Sequence, residues 1–230
     1  MKNLLNEKPT SDLRGRLKAS AEFVDENDIK NKNILDIGCG YGWCELNFVK
    51  KGAKKIIGTE LSKNDLITAR KYIKNKKIQF KVSNALDLQF KPRSFDTIVC
   101  WEVIEHIPKN SEHILFKNIG RLLKINGVFY LSTPFHNFFS NLLDPAYWLI
   151  GHRHYSKERL KEFGRKNSFM ISKVEIKGKF FTSLAILNMY IIKWLIRINP
   201  FYQKYLIKLS EKEYNSQNGF VNIFVKYVKL

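Results

Sequence analysis

"ILDIGCGYGW", residues 34–43, is the stretch that decides the fold. With Asn33 ahead of it, the first half is an apolar run interrupted only by Asp36. Such a run reads as a strand buried on both faces of a parallel sheet. Gly38, Gly40 and Gly42 then fall within five positions. Missing side chains let the backbone turn tightly and let a ligand approach it, and a following helix points its first amides at that ligand. G-x-G-x-G after a strand therefore implies a nucleotide-like ligand. Position 43 is Trp, where a nicotinamide site more often completes G-x-G-x-x-G.

Outward from this loop, a helix is expected over about 42–51, closed by Gly52. A second strand at 54–61 ends at Glu60, about 20 residues after the loop. In nucleotide-binding sheets a carboxylate there takes the two ribose hydroxyls. Ser62 can cap a helix to about residue 75. Further strands are expected at 77–85, 94–103, 127–134, 169–178 and 219–230. Helices are expected at 11–30, 111–124 and 156–167, and residues 135–155 read as aromatic and irregular. Strands alternating with helices mean an α/β, doubly wound, mostly parallel sheet of seven strands. An insert of about 40 residues separates the last two strands, far beyond an ordinary hairpin connection. The expected organisation is a main domain at 1–178 and 219–230, with a helical lid or membrane-surface insert at 179–218.

The 230 residues suit one domain, and 44% apolar with 13% aromatic content argues against disorder. Lys and Arg number 40 against 21 Asp and Glu, a net charge of +19. That excess fits an anionic partner, nucleic acid or an acidic membrane surface, or simple compositional drift. Cys39, Cys44 and Cys100 form no spaced cluster and read as reduced, intracellular thiols. The opening "MKNLLNEKPTSDLRGRLK" has no apolar core run, so no secretory signal is expected.

The sequence resembles the class I S-adenosylmethionine-dependent methyltransferases over about residues 30–178, and more loosely in the last strand. "ILDIGCGYG" is similar to their cofactor loop, which implies Asp36, Gly38, Cys39, Gly40 and Gly42 as cofactor contacts. "GTELS" is similar to their ribose-binding segment, with Glu60 and Leu61. "VSNALDLQF" is similar to their adenine-side segment, where Asn84 replaces the more usual Asp and Ala85 would lend its amide. "SFDTIVCWEVIEHI" resembles their fourth strand with its active-site edge; Trp101 there reads either as packing on cofactor or substrate or as a core aromatic. The resemblance implies S-adenosyl-L-methionine as cofactor and a seventh strand antiparallel between the fifth and sixth.

"WEVIEHIP" brings Glu102, Glu105 and His106 together. If a helical turn follows the fourth strand, these positions share one face at the ligand-binding edge of the sheet. "GHRHYS" adds His152 and His154. Two carboxylates with two imidazoles would suit Mg²⁺, Mn²⁺, Fe²⁺ or Zn²⁺, which could hold an acceptor oxygen and lower its pKa. The motif resembles two metal-dependent branches of the family, the ubiquinone-pathway O-methyltransferases and the 3′-terminal 2′-O-methyltransferases of small RNAs. Which histidine would complete the set is open. Without metal, His106 could take a proton from a hydroxyl as the methyl group moves, with Glu102 and Glu105 beside it.

The insert begins above the substrate opening. Its apolar run at 180–192 is too short to span a bilayer. Beyond it Trp194, Tyr202 and Tyr205 mix with Lys193, Arg197, Lys204 and Lys208, which suits a helix lying in an anionic membrane surface or a lid packed on the sheet. Residues 135–150 add a second apolar cluster. The expected activity is O-methylation of a hydrophobic or lipid-linked acceptor by a cytoplasmic, peripherally membrane-associated enzyme. RNA 2′-O-methylation is the alternative, although single-stranded RNA recognition wants exposed aromatics on a basic groove rather than a dense Ile/Leu run. A non-catalytic cofactor-binding partner subunit is a third reading.

Overall fold

The computed structural model describes residues 8–192, 202–216 and 218–230. Seven strands form one sheet: β1 (Asn33–Ile37), β2 (Lys55–Glu60), β3 (Ile78–Val82), β4 (Phe95–Trp101), β5 (Leu123–Pro134), β6 (Phe169–Lys177) and β7 (Asn222–Lys229). Their spatial order is β3-β2-β1-β4-β5-β7-β6. β1 to β5 pair in parallel, while β7 runs antiparallel to both β5 and β6. The order reverses between β1 and β4, and ligands bind open α/β sheets at the carboxyl ends of the strands flanking such a reversal.

Successive residues of β1 serve opposite layers. Leu35 and Ile37 join one core with Ile98, Phe116, Phe129 and Tyr227. Ile34 joins the other with Phe48, Ile56, Val99 and Tyr130. Both faces are covered, so the strand needs apolar residues throughout. Each such side chain stabilises the fold by about 1.5–3 kcal/mol when fully buried. Asp36 points to the same layer as Ile34 by the alternation of strand side chains, and it is buried.

The helices fall near their expected places, with shorter bounds. α2 (Glu45–Lys50) follows the glycine loop, and α3 (Lys63–Tyr72) starts where Ser62 accepts a hydrogen bond from the Asp65 amide at 3.3 Å. α4 spans Glu112–Leu122, and α7 (Lys157–Lys166) is capped by Ser156. Two expectations need correction. The helix expected over 11–30 is α1 (Gly15–Phe23) followed by a short 3-10 turn at Glu26–Asp28. The stretch expected to be irregular holds α5 (Phe138–Leu143) and α6 (Pro145–Leu149). Asn137 and Asp144 cap these two helices through their side chains, and Pro145 fits the first position of α6. Cap residues scattered among aromatics hid both helices from a periodicity reading.

Between β6 and β7 lie α8 (Phe180–Tyr190) and α9 (Gln203–Tyr214). They are tied at one end by Glu213. Its carboxylate accepts hydrogen bonds from the backbone amides of Lys179 and Phe181, each at 2.9 Å, and of Thr182 at 2.8 Å. An acid from α9 thus satisfies the otherwise unpaired amides opening α8. α9 also packs on α1, and α8 on α5 and α6. Lys193, Trp194 and Arg197, central to the membrane-surface reading of the insert, lie outside the described residues. No helix among the described residues is long and apolar enough to cross a membrane.

Candidate active site

A cleft of about 340 Å³ opens at the carboxyl ends of β1 and β4. Asp36, Gly38, Cys39 and Gly40 form its floor, and Trp101, Glu102, Glu105 and His106 one wall. α1 contributes Arg16, the start of α6 Asp144, the loop after α6 His152, and α8 Ile186, Met189 and Tyr190. α8 therefore roofs the cleft, and α1 closes one side.

Gly38 has φ +76°, a conformation that L side chains rarely adopt, and a β-carbon there would come within 2.3 Å of Val103 Cγ2. The loop thus packs directly on the turn after β4. Glu60 secures its other side. Its Oε2 accepts from the Gly40 amide at 3.1 Å, and its Oε1 from the Leu61 amide at 2.7 Å and the Ser62 amide at 3.3 Å. Glu60, Leu61, Gly42, Asn84 and Ala85 do not line the cleft itself, and Leu61 is exposed. Asn84 spends its side-chain oxygen locally, accepting from the Leu86 amide at 2.9 Å. The Trp101 indole N–H is buried without a hydrogen-bond partner among the described residues.

The turn after β4 differs from expectation. It is not a helical turn: Glu102 has φ +53°, and only the His106 amide bonds back, to Val103 O at 2.9 Å. Glu102 consequently spends its carboxylate on partners from other elements. Its carboxylate accepts from Arg16 Nη1 at 2.9 Å, Ser132 Oγ at 2.6 Å and Asn222 Nδ2 at 2.9 Å. It ties α1, β5 and β7 together, so its expected place among the metal ligands is corrected: among the described residues, the groups close enough to hold an ion are Glu105 with His106 and His152, and Asp144 with His152 and His154.

His106 and His152 face each other, Nε2 to Nε2, at 3.3 Å. His152 Nδ1 lies 3.4 Å from Asp144 Oδ2. A proton on Nδ1 directed at that carboxylate leaves the Nε2 lone pair aimed at His106. His154 is differently placed. Its side chain is fully buried, with Nδ1 2.8 Å from Asn141 Oδ1 and Nε2 2.8 Å from Asp144 Oδ2. His154 has both ring nitrogens on neighbouring side-chain oxygens, whereas His152 turns its Nε2 to His106 and belongs to both candidate groups.

Solvent reaches the outer edge of His106, but the ring packs inward. Desolvation, with His152, Arg16 and Arg153 nearby, lowers its pKa to about 4. Burial and the neighbouring Glu102 push Glu105 well above the usual carboxylate range. Thr133 Oγ1 donates to Glu105 Oε2 at 3.1 Å, while Oε1 is buried without a partner among the described residues. Against the opposing effect of burial, hydrogen bonds from His152 and His154 hold Asp144 below that range. Arg16, Asp144 and Asn222 are site residues that the sequence did not single out. Asp144, in "LLDPAY", carried a signal as the polar residue before a proline in an apolar stretch. Arg16 and Asn222 carried none.

A family profile described as "Methyltransferase domain" matches residues 10–169. The chain is similar to the ubiquinone biosynthesis O-methyltransferase of Pelagibacter ubique (strain HTCC1062), 33% identical over 110 residues, covering 47% of this chain and 44% of that protein. It is also similar to the mitochondrial ubiquinone biosynthesis O-methyltransferase of Dictyostelium discoideum, 26% identical over 197 residues, covering 74% and 60%. The chain spans about half the length of the curated relatives it matches. Among solved structures, it resembles an S-adenosylmethionine-dependent methyltransferase from Mesorhizobium loti, with TM-score 0.64, 18% identity, and 93% of this chain and 100% of that chain covered. The geranyl diphosphate C-methyltransferase of Streptomyces coelicolor A3(2), solved with Mg²⁺, geranyl diphosphate and S-adenosyl-L-homocysteine, matches with TM-score 0.64 at 16% identity, covering 93% and 77%. These two likenesses speak to the fold. With the profile spanning well over half of the chain, the glycine-loop sheet and its order place this protein in the class I S-adenosylmethionine-dependent methyltransferases.

Proposed function

We propose that the enzyme transfers the methyl group of S-adenosylmethionine to an oxygen of a hydrophobic or lipid-linked acceptor, beside a divalent metal held by Glu105, His106 and His152. The observation that carries this reading is the facing imidazole pair with a buried, half-unpartnered carboxylate, set in the cleft next to the glycine loop. One carboxylate oxygen and two neutral imidazole nitrogens fit Mn²⁺, Fe²⁺ or Zn²⁺ well, and Mg²⁺ less well. An ion held there would supply Lewis-acid polarisation of the acceptor oxygen. The chain's own part is alignment. The loop and Glu60 hold the cofactor, Glu102 anchors α1 through Arg16, and the α8 roof excludes water. Methyl transfer is an in-line displacement, so such positioning does most of the work. The names of the curated relatives support an oxygen acceptor.

The cleft's surroundings support an apolar, membrane-borne acceptor. On α5 and α6, Phe138, Phe139, Trp148 and Leu149 project into solvent, at 74%, 59%, 65% and 71% exposure. An apolar rim on a chain of net charge +19 suits an anionic bilayer surface. Lipid burial of the rim would gain roughly 25 cal/mol per Å² of apolar area, a term that salt does not screen.

The test uses labelled methyl donor with a lipid extract, an RNA pool and anionic vesicles. Label should enter a solvent-extractable product, excess chelator should abolish the transfer, and added divalent ion should restore it. Vesicle binding should persist in part at high salt and lose that part when Phe138, Phe139, Trp148 and Leu149 become Ser. Label in RNA ribose without vesicle binding would instead support the RNA reading. Independently, Glu60→Ala should weaken S-adenosylmethionine binding by about 1.5–3 kcal/mol, through loss of charge-assisted bonds to the loop and the ribose. Unchanged affinity by calorimetry would remove Glu60 from the cofactor site.

A further inference from the structure

A second pair of acids lies beneath the glycine loop, outside the chemistry above. Glu45 opens α2 and is fully buried. Neither of its carboxylate oxygens has a hydrogen-bond partner among the described residues, and neither does Asp36 Oδ1. Gly58, the cross-strand partner of Asp36, makes the space for Glu45: a β-carbon on Gly58 would stand 2.6 Å from Glu45 Oε1 and 2.9 Å from Cys39 Sγ. Asp36 also lines the cleft, so one member of the pair faces the ligand and the other sits behind it.

We infer that Glu45, through Asp36, makes the site favour the sulfonium cofactor over its uncharged thioether product and release a proton as the cofactor binds. The inference rests on the cofactor lying on the glycine loop.

Among the described residues, the groups around Glu45 offer it no counter-charge. Asp36 stands on β1, Cys39 in the loop, Cys44 just before α2 and Glu60 at the end of β2. Lys51, at the far end of α2, acts on Cys44, but its ammonium is spent on the Ala21 carbonyl at 3.1 Å. Buried carboxylates without a counter-ion retain protons. Burial, then Glu45 and Glu60, raises Asp36 well above its ordinary value, and burial raises Glu45 to about 7 against the opposing pull of its own amide, the Cys39 thiol and the Cys44 amide. S-adenosylmethionine brings an ammonium and a sulfonium; S-adenosylhomocysteine keeps only the ammonium. Each positive charge set against Asp36 favours the ionised pair, and the displaced proton goes to solvent. Affinity for the cofactor should therefore rise with pH until the free pair is itself ionised, and rise less for the product.

Titration calorimetry with both ligands, in two buffers of different ionisation heat between about pH 6 and 8.5, reads this linkage directly. Wild type should release more proton with S-adenosylmethionine than with S-adenosylhomocysteine. In Glu45→Gln the release should fall, and the ratio of the two affinities should narrow by about fivefold or more. Equal proton release for both ligands in wild type, a measurement needing no variant, overturns the inference. So does an unchanged affinity ratio in folded Glu45→Gln. Wild-type protein that binds neither ligand would overturn the cofactor placement as well, which separates the two failures.

Discussion

Alanine at His106 or His152 is expected to lower methyl transfer by about 100-fold or more, with cofactor affinity held within about twofold. The two imidazoles approach to 3.3 Å and stand beside the glycine loop rather than in it, so the substitution leaves the loop and its bond to Glu60 in place. A metal-binding site predicts a second readout. Divalent ion should raise the melting temperature of wild type by mass action, about 2.7 kcal/mol when the ion is at 100 times its Kd, and should do nothing for either alanine variant. Asp144→Asn keeps the shape but loses the charge that orients His152, and an intermediate loss of about 10–100-fold is expected. His154→Ala separates structure from chemistry. Its ring is fully buried and bonded at both nitrogens, so its removal should cost stability, with metal affinity changed only through Asp144. Equal losses at His152 and His154 without any change in metal-dependent melting would make both histidines structural. Full activity of His106→Ala in excess chelator would refute the metal reading and the proton-acceptor reading of His106 together.

How far the sequence carried these conclusions depends on the range of the interactions. The strand NILDI, its glycine turn and the next strand ending at Glu60 are local patterns, and each is found where the sequence puts it; the Glu60 carboxylate itself bonds the loop. Ser62 and Ser156 announced their helices because capping is a contact within three residues. The turn after β4 was misread because its geometry is decided from outside. Glu102 adopts a left-handed backbone in order to reach Arg16, Ser132 and Asn222, and two of these partners lie 86 and 120 positions away. Spacing of i, i+3 and i+4 cannot register such a demand. The choice between His152 and His154 was equally invisible. Two residues apart in one loop, they differ in that Asn141 and Asp144 saturate one ring and leave the other's Nε2 facing His106. The apolar segment at 135–150 was legible as a cluster but not as helices, since its turns are opened by Asn137 and Asp144 rather than by a long amphipathic period.

Gly38→Ala is expected to be the most damaging single methyl group that can be added to this chain's loop. Two costs combine there. A left-handed backbone on a residue with a β-carbon costs about 1–2 kcal/mol, and Gly38 stands at φ +76°. The new carbon would also fall 2.3 Å from Val103 Cγ2, and overpacking of this kind costs about 1–3 kcal/mol. Val103 cannot rotate away cheaply, because a branched β-carbon is stiff at χ1. The strain must pass into the turn that Val103 opens, and the His106 amide is bonded to the Val103 carbonyl. Cofactor affinity and the His106–His152 alignment should therefore fail together, with the melting temperature lowered by roughly 5–15 °C. Val103→Ala in the Gly38→Ala background should recover the packing share and leave the backbone share, a coupling that a double-mutant cycle isolates. If Gly38→Ala alone kept the wild-type melting temperature and cofactor affinity, the loop would not hold the left-handed turn against Val103, and the direct link between the cofactor floor and the histidine pair would be lost. Recovery of stability but not of activity in the double variant would show that Val103's bulk is itself needed to set the turn carrying His106.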